Sequence, residues 1–471
     1  MRQHQQIEEH MRYIIFVLIH LSFGTALCQG LSNAKIDGYR GIWFELNQKY
    51  EYGDKYSGAL GTYTAKHVPL AIYAEEVDKT YFVYGGTTTA DETYLLCMIG
   101  EFDHQTAMVS KPTVVHDKLG IDDPHDNPSL LIDDAGYIWV FISGRGRTRP
   151  GFKYKSEKPY DIEKFLQITE EEMTYPQPWH TQSGFFHFFT KYTGVRQLYF
   201  ETSKDGMNWT EDKMLAAIPV NEGEKSGHYQ VSSSFDGKVV ATFFNRHPNG
   251  IVDRRTDLYY IQSTDFGKKW TTVDKLELLL PLKEHASPAR VADYASQSKN
   301  VYLKDMGFDS EGKPVCLYIR SYGHEPGPRS APYEWCITKW DGKEWQTSMV
   351  TTSDHNYDMG SLFISEDVWM IAGPTEKGPQ AWGVGGEIAI WQSDNQGETW
   401  KKAKNITENS ELSHSYVRRP VNYKAPFCFF WSDGHSHEFS KSELYFGNFE
   451  GEIWKLPYHM ENKHEKPKRI N

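Results

Sequence analysis

The stretch Ser263-Thr264-Asp265-Phe266-Gly267-Lys268-Lys269-Trp270 decides the fold class of this chain. It has the form Ser-x-Asp-x-Gly-x-x-Trp, in which the Asp caps a hairpin turn, the Gly takes a positive φ and the Trp packs beside the turn. Shortened or degenerate copies of this Asp-box turn occur at residues 203–209, 341–345, 393–400 and 450–454. Each copy predicts a hairpin between two antiparallel strands.

The spacing of these turns predicts the architecture. From Trp209, the tryptophans that close them follow at steps of 61, 75, 55 and 54 residues, ending at Trp454. Strand-rich repeats of this length are typical of β-propellers, in which each repeat is one four-stranded blade. Residues 38–456 divide into seven blades of about 60 residues each. We therefore predict an all-β, seven-bladed β-propeller that forms a single domain over residues 29–471.

The two ends of this domain are predicted to differ, since one closes the ring and the other is a free tail. Residues 38–44 (Gly-Tyr-Arg-Gly-Ile-Trp-Phe) are expected to form an N-terminal strand able to pair with the last blade. Closing the ring in this way removes exposed sheet edges. The basic tail from Lys463 to Arg469 is expected to be a frayed terminus.

The first 28 residues indicate export. Arg12 supplies positive charge, residues 13–21 form a short apolar run, and Ala26-Leu27-Cys28 resembles a cleavage site. The apolar run is too short to span a bilayer, and no later segment is a candidate span. We expect a signal peptide over residues 1–28 and a periplasmic or secreted protein. Cys28 also suggests a lipoprotein, which the bulky Leu27 disfavours.

Composition favours strands and disfavours nucleic acid as a partner. Aromatic residues make up 14% of the chain, with 29 Tyr and 14 Trp, as is typical of strand-rich proteins. The formal net charge of −12 argues against phosphate binding, although a local Arg cluster would still allow anionic sugars. The four cysteines after residue 28 are widely spaced, which predicts buried free thiols: Cys97, Cys316, Cys336 and Cys428.

Several motifs resemble those of a known group of propeller enzymes. They are the Asp-box turns, the loop at 122–128 (Asp-Asp-Pro-His-Asp-Asn-Pro), and short motifs at 175–179, 227–232 and 244–247. Together they resemble BNR-type seven-bladed propellers that act on carbohydrates. That group includes ulvan lyases, rhamnose–glucuronate lyases, propeller α-L-rhamnosidases and an ulvan oligosaccharide dehydratase. The resemblance covers nearly all of the chain after residue 28 and does not separate these activities.

For the lyases of this group, the resemblance implies a site for β-elimination. They use a histidine pair, an arginine that neutralises the uronate carboxylate, and a tyrosine near the abstracted proton. His125 matches the first histidine, and Arg145 stands where the second is usual. Arg196 matches the neutralising arginine and Tyr229 the tyrosine, while His180 lies where a tyrosine is expected. The Arg145 departure favours an exo-acting lyase or a dehydratase over an ordinary endo-lyase.

The chemistry explains why these residue types are needed. Elimination removes the C5 proton of a uronate and expels the C4 substituent, so a cation must stabilise the carboxylate. A neutral His or a Tyr with a lowered pKa takes the proton, and an acidic group protonates the leaving oxygen. A sugar at C4 gives a lyase, and a hydroxyl gives a dehydratase. Five residues are the candidates for binding the anionic oligosaccharide substrate: Arg145, His180, His228, Arg246 and His247.

Two alternative functions stay open. In the rhamnosidase branch an early histidine is thought to carry hydrolysis of terminal α-L-rhamnose linked to glucuronate, and His67 matches it. The other alternative is a propeller that binds sugar without catalysis. No cofactor is expected for the chemistry. His324, Cys336 and His355 have side chains that zinc accepts, and some relatives carry a structural zinc, so these three are the candidate metal ligands.

Overall fold

The computed structural model describes residues 30–219, 223 and 225–471. The predicted signal peptide lies outside these residues. Within the described chain, antiparallel sheets form seven blades, which confirms the predicted all-β, seven-bladed propeller. Blades are numbered in chain order. The described part of the chain also contains three short 3₁₀ helices, at Glu75–Val77, Pro124–Asp126 and Pro248–Gly250. None of its helices is long and apolar enough to span a membrane.

The strands of each blade follow one another in sequence. The first three blades consist of Ala71–Ala74, Lys79–Gly86, Leu96–Asp103, Met108–Ser110 and Thr113–Asp117 (blade 1), of Pro128–Ile132, Ile138–Ile142, Gly151–Ser156 and Phe165–Glu171 (blade 2), and of Thr174–Thr181, Gly184–Lys191, Gln197–Ser203 and Lys213–Ala216 (blade 3). Blade 4 is larger, with Gln230–Phe235, Val239–Arg246, Thr256–Ser263, Trp270–Thr271, Glu277–Leu278 and Arg290–Ala292.

The last three blades each have four strands in sequence order. They are Asn300–Phe308, Pro314–Ser321, Tyr333–Trp340 and Trp345–Ser353 (blade 5), Ser361–Ile364, Trp369–Glu376, Glu387–Ser393 and Lys401–Asn405 (blade 6), and Ser413–Arg418, Phe429–Gly434, Leu444–Gly447 and Ile453–Lys455 (blade 7). The first strands of neighbouring blades pack against one another, so they line the central channel.

The Asp-box turns connect the third and fourth strands of their blades. In the turn of blade 4, Asp265 Oδ1 accepts from Lys269 N at 2.9 Å, and Gly267 has φ of +80°. Trp270 is buried, and its ring centroid lies 5.2 Å from that of Phe200 in blade 3. The turn therefore fixes the hairpin and also packs blade 4 against blade 3.

Residues 38–44 and the C-terminal tail both lie between blade 7 and blade 1. Gly41 N donates to Ser442 O and Ile42 N to Gly85 O, both at 3.0 Å, so residues 38–44 join the last blade to the first. Trp43–Glu45 itself pairs with Ser57–Ala59. The prediction of a frayed basic tail is wrong, because His464–Glu465 pairs with blade 1 and Lys468–Arg469 with blade 7.

The largest fully buried side chains are tryptophans and tyrosines, among them Trp139, Trp335 and Trp431. The four cysteines Cys97, Cys316, Cys336 and Cys428 are all buried free thiols, which confirms that prediction.

Candidate functional site

One end of the central channel opens into a cavity of about 140 Å³. Three kinds of segment reach it, namely the starts of the innermost strands, the loops between second and third strands, and the N-terminal segment that precedes blade 1. Because all innermost strands run in one direction, these segments meet at the same end of the propeller. Arg145, Arg196 and Arg255 come from the loops of blades 2, 3 and 4, and Tyr229 immediately precedes the first strand of blade 4.

The cavity wall is cationic and rich in tyrosine. No Asp or Glu side chain of the described chain lines it, so an anion entering it meets no like charge at the surface. Its lining groups include His125, six lysines and arginines, and seven tyrosines: Lys55, Lys66, Arg145, Arg196, Arg255, Lys304, Tyr56, Tyr63, Tyr175, Tyr229, Tyr302, Tyr357 and Tyr416.

His125 sits in the 3₁₀ turn Pro124–Asp126, which Asp123 caps by accepting from His125 N at 3.0 Å. The same carboxylate contacts His125 Nδ1. Nε2 lies 2.8 Å from the hydroxyl of Tyr56 and 3.0 Å from that of Tyr63. Burial lowers the pKa of His125 to about 4, although Asp123 opposes the shift. The imidazole is therefore neutral near pH 7, with a proton on Nδ1 and a free electron pair directed at the two hydroxyls.

Tyr229 has an environment unlike that of the other cavity tyrosines. Burial alone would raise its pKa, but Arg196 and Arg255 outweigh burial and hold the pKa below its ordinary value. The guanidinium carbon of Arg255 lies 4.6 Å from the centroid of the Tyr229 ring, and that of Arg196 lies 5.8 Å away. Burial raises the pKa of the six others. Tyr229 is thus the cavity tyrosine best suited to accept a proton.

Arg196 and Arg145 differ in whether a carboxylate of the protein already pairs with their positive charge. Arg196 pairs with no carboxylate among the described residues, and its buried Nε has no hydrogen-bond partner there. Arg145 is 3.1 Å from Asp123 Oδ2 through NH1, and its side chain is 30% exposed. Arg145 therefore shares Asp123 with His125, whereas the charge of Arg196 is free for an incoming anion.

Four predicted residues, His125, Arg145, Arg196 and Tyr229, thus lie in one cavity, and their catalytic or binding roles stay predictions. Sequence reasoning missed Arg255, Lys55, Lys66 and Lys304 as cavity cations. A signal for Arg255 existed, because it follows Arg196 by 59 residues, close to one blade repeat, and both precede the third strand of their blade. The lysines carry no comparable pattern.

Two other predicted histidines lie behind the cavity wall. His67 is fully buried, and its Nδ1 accepts from Thr64 N at 3.0 Å while Nε2 lies 3.2 Å from His125 O. His228 Nε2 accepts from Ile218 N at 3.0 Å, and Nδ1 lies 2.9 Å from the carbonyl oxygen of Asn245. Both rings are thus bound to backbone, so the structure corrects the expectation that they contact substrate. His228 instead fixes the segment that carries Tyr229.

Three more expected substrate contacts are corrected by their positions. His180 lies near the far end of the first strand of blade 3, 3.1 Å from Asp134, away from the cavity end. Arg246 is buried in an ion pair with Asp257 at 2.9 Å. His247 is buried beside Tyr229, with ring centroids 4.7 Å apart, and does not line the cavity.

The candidate zinc ligands His324, Cys336 and His355 are not brought together. Cys336 Sγ lies 3.6 Å from Glu334 O within a strand of blade 5, and His355 Nδ1 accepts from Tyr357 N at 3.0 Å. Among the described residues, one group of three potential ligands is close enough for a metal: Glu171, Glu201 and Asp212. Lys153 Nζ already lies 2.8 Å from Glu201 and pairs with Glu171, so cationic side chains neutralise this group.

The N-terminal hairpin, defined as residues 46–56, covers one side of the cavity. Its Lys55 forms an ion pair with Asp253 of blade 4. Tyr50 packs on His324 of blade 5 at 5.8 Å between ring centroids, and Tyr52 packs on Trp382 of blade 6 at 6.0 Å. Leu46, Gln48, Lys55 and Tyr56 line the cavity. The hairpin therefore rests on the loops of three blades and forms part of the cavity wall on that side.

Comparison with known proteins agrees with this architecture. The chain is similar to an ulvan lyase of Nonlabens ulvanivorans, with 23% identity over 320 residues that cover 60% of this chain and 65% of that protein. It is also similar to an ulvan lyase of Alteromonas sp. (strain LOR), with 20% identity over 331 residues, or 62% of this chain and 65% of the relative. The matches thus span just under two thirds of the length of these relatives.

The fold matches a solved structure over a larger share of the chain. A polysaccharide lyase PL25 ulvan lyase superposes with a TM-score of 0.69 and 16% identity, covering 88% of this chain and 94% of that one. The same kind of enzyme bound to -[GlcA(1-4)Rha3S]- gives the same TM-score. A family model described as "BNR repeat-containing family member" matches residues 99–353, which is more than half of the chain. The chain therefore belongs to this BNR repeat-containing family.

Proposed function

We propose that the protein is a carbon–oxygen lyase that performs β-elimination at a uronic acid in rhamnose–uronate oligosaccharides of the ulvan type. The observation that carries the proposal is the cavity itself, in which three arginines, three lysines and no described carboxylate surround a tyrosine of lowered pKa. Curated relatives named ulvan lyases support the substrate class.

In the proposed reaction Arg196, with Arg145, holds the uronate carboxylate and stabilises the charge that develops beside it. The Tyr229 phenolate takes the C5 proton, and its electron pair forms the C4–C5 double bond as the C4–O bond breaks. The hydroxyl of Tyr56 or Tyr63 protonates the leaving oxygen. Both hydroxyls lie against His125 Nε2, and their raised pKa values keep them protonated until that step. Solvent exchange restores both tyrosines after product release.

We further propose that the enzyme acts at a chain end, as an exo-lyase or an oligosaccharide dehydratase. At about 30 Å³ per water, the cavity of about 140 Å³ has room for roughly five waters, which favours one sugar unit over several. The N-terminal hairpin, which lines one side of the cavity, would limit the continuation of a longer chain on that side. If C4 of the reacting uronate carries a sugar, elimination shortens the chain and the enzyme is an exo-lyase. If C4 of a terminal uronate carries a hydroxyl, elimination removes one water without cleaving the chain, and the enzyme is a dehydratase.

The cavity gives less support to hydrolysis. A glycosidase ordinarily needs two carboxyl groups beside the scissile bond, and no described carboxylate lines this cavity. His67, the residue on which the rhamnosidase alternative depends, is fully buried with both ring nitrogens engaged by backbone.

Incubation with ulvan oligosaccharides tests the proposal. Elimination gives a conjugated C4–C5 double bond that absorbs at about 235 nm, and mass spectrometry separates chain cleavage from loss of one water. A matched substrate whose carboxyl groups have been reduced to alcohols should not react. We expect Arg196→Ala to lose about 2–4 kcal/mol of transition-state stabilisation, a 30- to 1,000-fold fall in kcat/KM. Release of free rhamnose without the absorbance would overturn the proposal.

Export belongs to the same proposal and rests on residues 12–28 of the sequence. Mass spectrometry of the N-terminus of protein recovered from its native host tests it. Cleavage after about residue 28 is expected for a signal peptide, and an intact N-terminus in the cytoplasm would contradict it.

A further inference from the structure

Lys66 differs from the other lysines of the cavity in having no acceptor for its ammonium group. Lys55 pairs with Asp253, and Lys304 Nζ donates to the carbonyl oxygen of Asn356 at 2.6 Å. Within the described chain, Lys66 is held through its backbone N, which donates to Thr64 Oγ1 at 2.8 Å. Its Nζ contacts only the face of the Tyr229 ring, 5.1 Å from the centroid.

The charges that face Lys66 are all positive. Arg255 of blade 4 and Arg418 of blade 7 face it, together with Lys304 of blade 5, whose own pKa burial lowers to about 7. Tyr229 and His247 are the other titratable groups beside it. A buried ammonium with cationic neighbours and no anion is unfavourable. Burial, followed by these three cations, holds the pKa of Lys66 well below its ordinary value. Burial, the cationic neighbours and the lack of an acceptor for Nζ among the described residues therefore all favour the uncharged amine when no anion is bound.

We propose that Lys66 is a second anion-binding residue, uncharged in the empty cavity and protonated when the carboxylate of a uronate enters beside Tyr229. The inference rests on the proposed function, since it needs an anionic substrate. The amine takes one proton from solvent as one carboxylate binds, so the net charge of the site stays constant. Arg196, Arg255 and Lys66 all lie against the same Tyr229 ring, so one anion there is within reach of all three.

This arrangement has a consequence for selectivity. A permanently charged residue at position 66 would add repulsion to a cavity that already holds three arginines, Arg145, Arg196 and Arg255. A neutral amine avoids that repulsion and gains a charge only when a carboxylate is present. Neutral sugars induce no protonation, so they gain nothing from Lys66. The residue therefore increases the preference for uronates over neutral sugars of similar shape.

Proton uptake on binding is the first measurement. Calorimetric titration with D-glucuronate is carried out in two buffers of different ionisation enthalpy, and the difference in binding enthalpy gives the number of protons taken up on binding. The pH is about 8, below the ordinary lysine pKa of about 10.4, so that an ordinary lysine is already protonated and takes up none. The wild type should take up close to one proton per glucuronate. Lys66→Arg, which is always charged, should bind glucuronate without uptake. Lys66→Met should bind it at least tenfold more weakly, and Lys268→Met, on an exposed turn, should behave as the wild type.

Direct titration of the amine is the second measurement and needs no variant. Trace acetylation across a pH series, read peptide by peptide by mass spectrometry, gives the reactivity midpoint of Lys66. The midpoint should lie below that of exposed lysines in the free protein and rise in saturating glucuronate. An ordinary midpoint, or one that glucuronate leaves unchanged, overturns the inference. Equal uptake by wild type and Lys66→Arg also overturns it and leaves the proposed function intact, whereas absence of any glucuronate binding overturns both.

Discussion

Tyr229 is distinguished from its six neighbouring tyrosines by two guanidinium groups that lie against its ring. Removing its hydroxyl tests whether it is the base. We expect Tyr229→Phe to lower kcat at least about 100-fold, the usual contribution of a general base. In the wild type, activity should rise with pH as Tyr229 loses its proton, in a range below the ordinary tyrosine pKa. The absorbance assay measures both effects.

The control for this variant is Tyr322→Phe, which changes an exposed ring outside the cavity and should keep full activity. Both variants should unfold at nearly the wild-type temperature. Tyr229→Phe retaining more than a tenth of the wild-type kcat would rule Tyr229 out as the base and direct attention to His125.

Residue identity alone could predict part of this site. The motifs around His125, Arg196 and Tyr229 are local, so a resemblance could mark them individually. Whether a side chain faces the cavity or the backbone behind it changes from one residue to the next along an extended segment. His228 and Tyr229 are adjacent, yet His228 points into backbone and Tyr229 into the cavity. That difference arises because successive side chains of an extended chain point to opposite sides.

At the level of elements, the N-terminal hairpin sets the length of substrate that fits. Tyr52→Ala removes its contact with Trp382 of blade 6, 6.0 Å between ring centroids. A hairpin that is less firmly seated should admit longer chains. We expect the ratio of activity on polymeric ulvan to activity on a disaccharide to rise several-fold. Chromatography of the products over time measures it, because endo cleavage gives a ladder of sizes early in the reaction.

The matched control is Tyr94→Ala, which removes an exposed tyrosine from a loop of blade 1 and should leave the product distribution unchanged. If Tyr52→Ala and Tyr94→Ala give the same products as the wild type, the hairpin does not limit chain length. The seven blades do not depend on this contact, so both variants should fold.

The Asp-box turns make a second prediction at this level. Gly267 and Gly120 both have positive φ, +80° and +91°, so Ala at either position is strained. A Cβ at Gly267 would also lie 2.6 Å from Phe200 Cε2 of blade 3, whereas at Gly120 the nearest atom is 4.0 Å away. We expect Gly267→Ala to destabilise the fold by about 2–5 kcal/mol and Gly120→Ala by about 1–2 kcal/mol. Denaturant unfolding measures both, and equal losses would show that inter-blade packing at the turn contributes little.

For the whole molecule, buried histidines predict how stability depends on pH. Burial lowers the pKa of His125, His228 and His414 from 6.5 to about 4, and of His116 and His355 to about 3. Between pH 6.5 and about 4 the unfolded chain binds more protons than the folded one, so the free energy of unfolding falls as the pH falls. Each histidine contributes up to about 3 kcal/mol of this loss.

Denaturant midpoints across this pH range measure the slope. His414→Gln, in blade 7 and outside the cavity, should make the slope shallower, because one titrating group is lost. His464→Gln, at an exposed position, should leave the slope unchanged. A flat pH profile in the wild type would contradict the assignment of these histidines as buried and neutral.

The sequence by itself determined the all-β class, the seven blades and the buried free thiols of this protein. Those features follow from short-range patterns, since an Asp-box turn and a repeat length are complete within a few dozen residues. The chain ends were less predictable, because the pairing of the basic tail with blades 1 and 7 depends on sheet edges several hundred residues away.

Only the tertiary structure decided which side chains share the cavity and which charge states they adopt. Lys66, Arg196 and Arg255 come from three separate parts of the chain and meet at one tyrosine ring. The pKa values of Tyr229, His125 and Lys66 are set by burial and by charges on distant segments, which no local pattern records. Electrostatic interactions act through space, and the fold alone determines which groups are neighbours there.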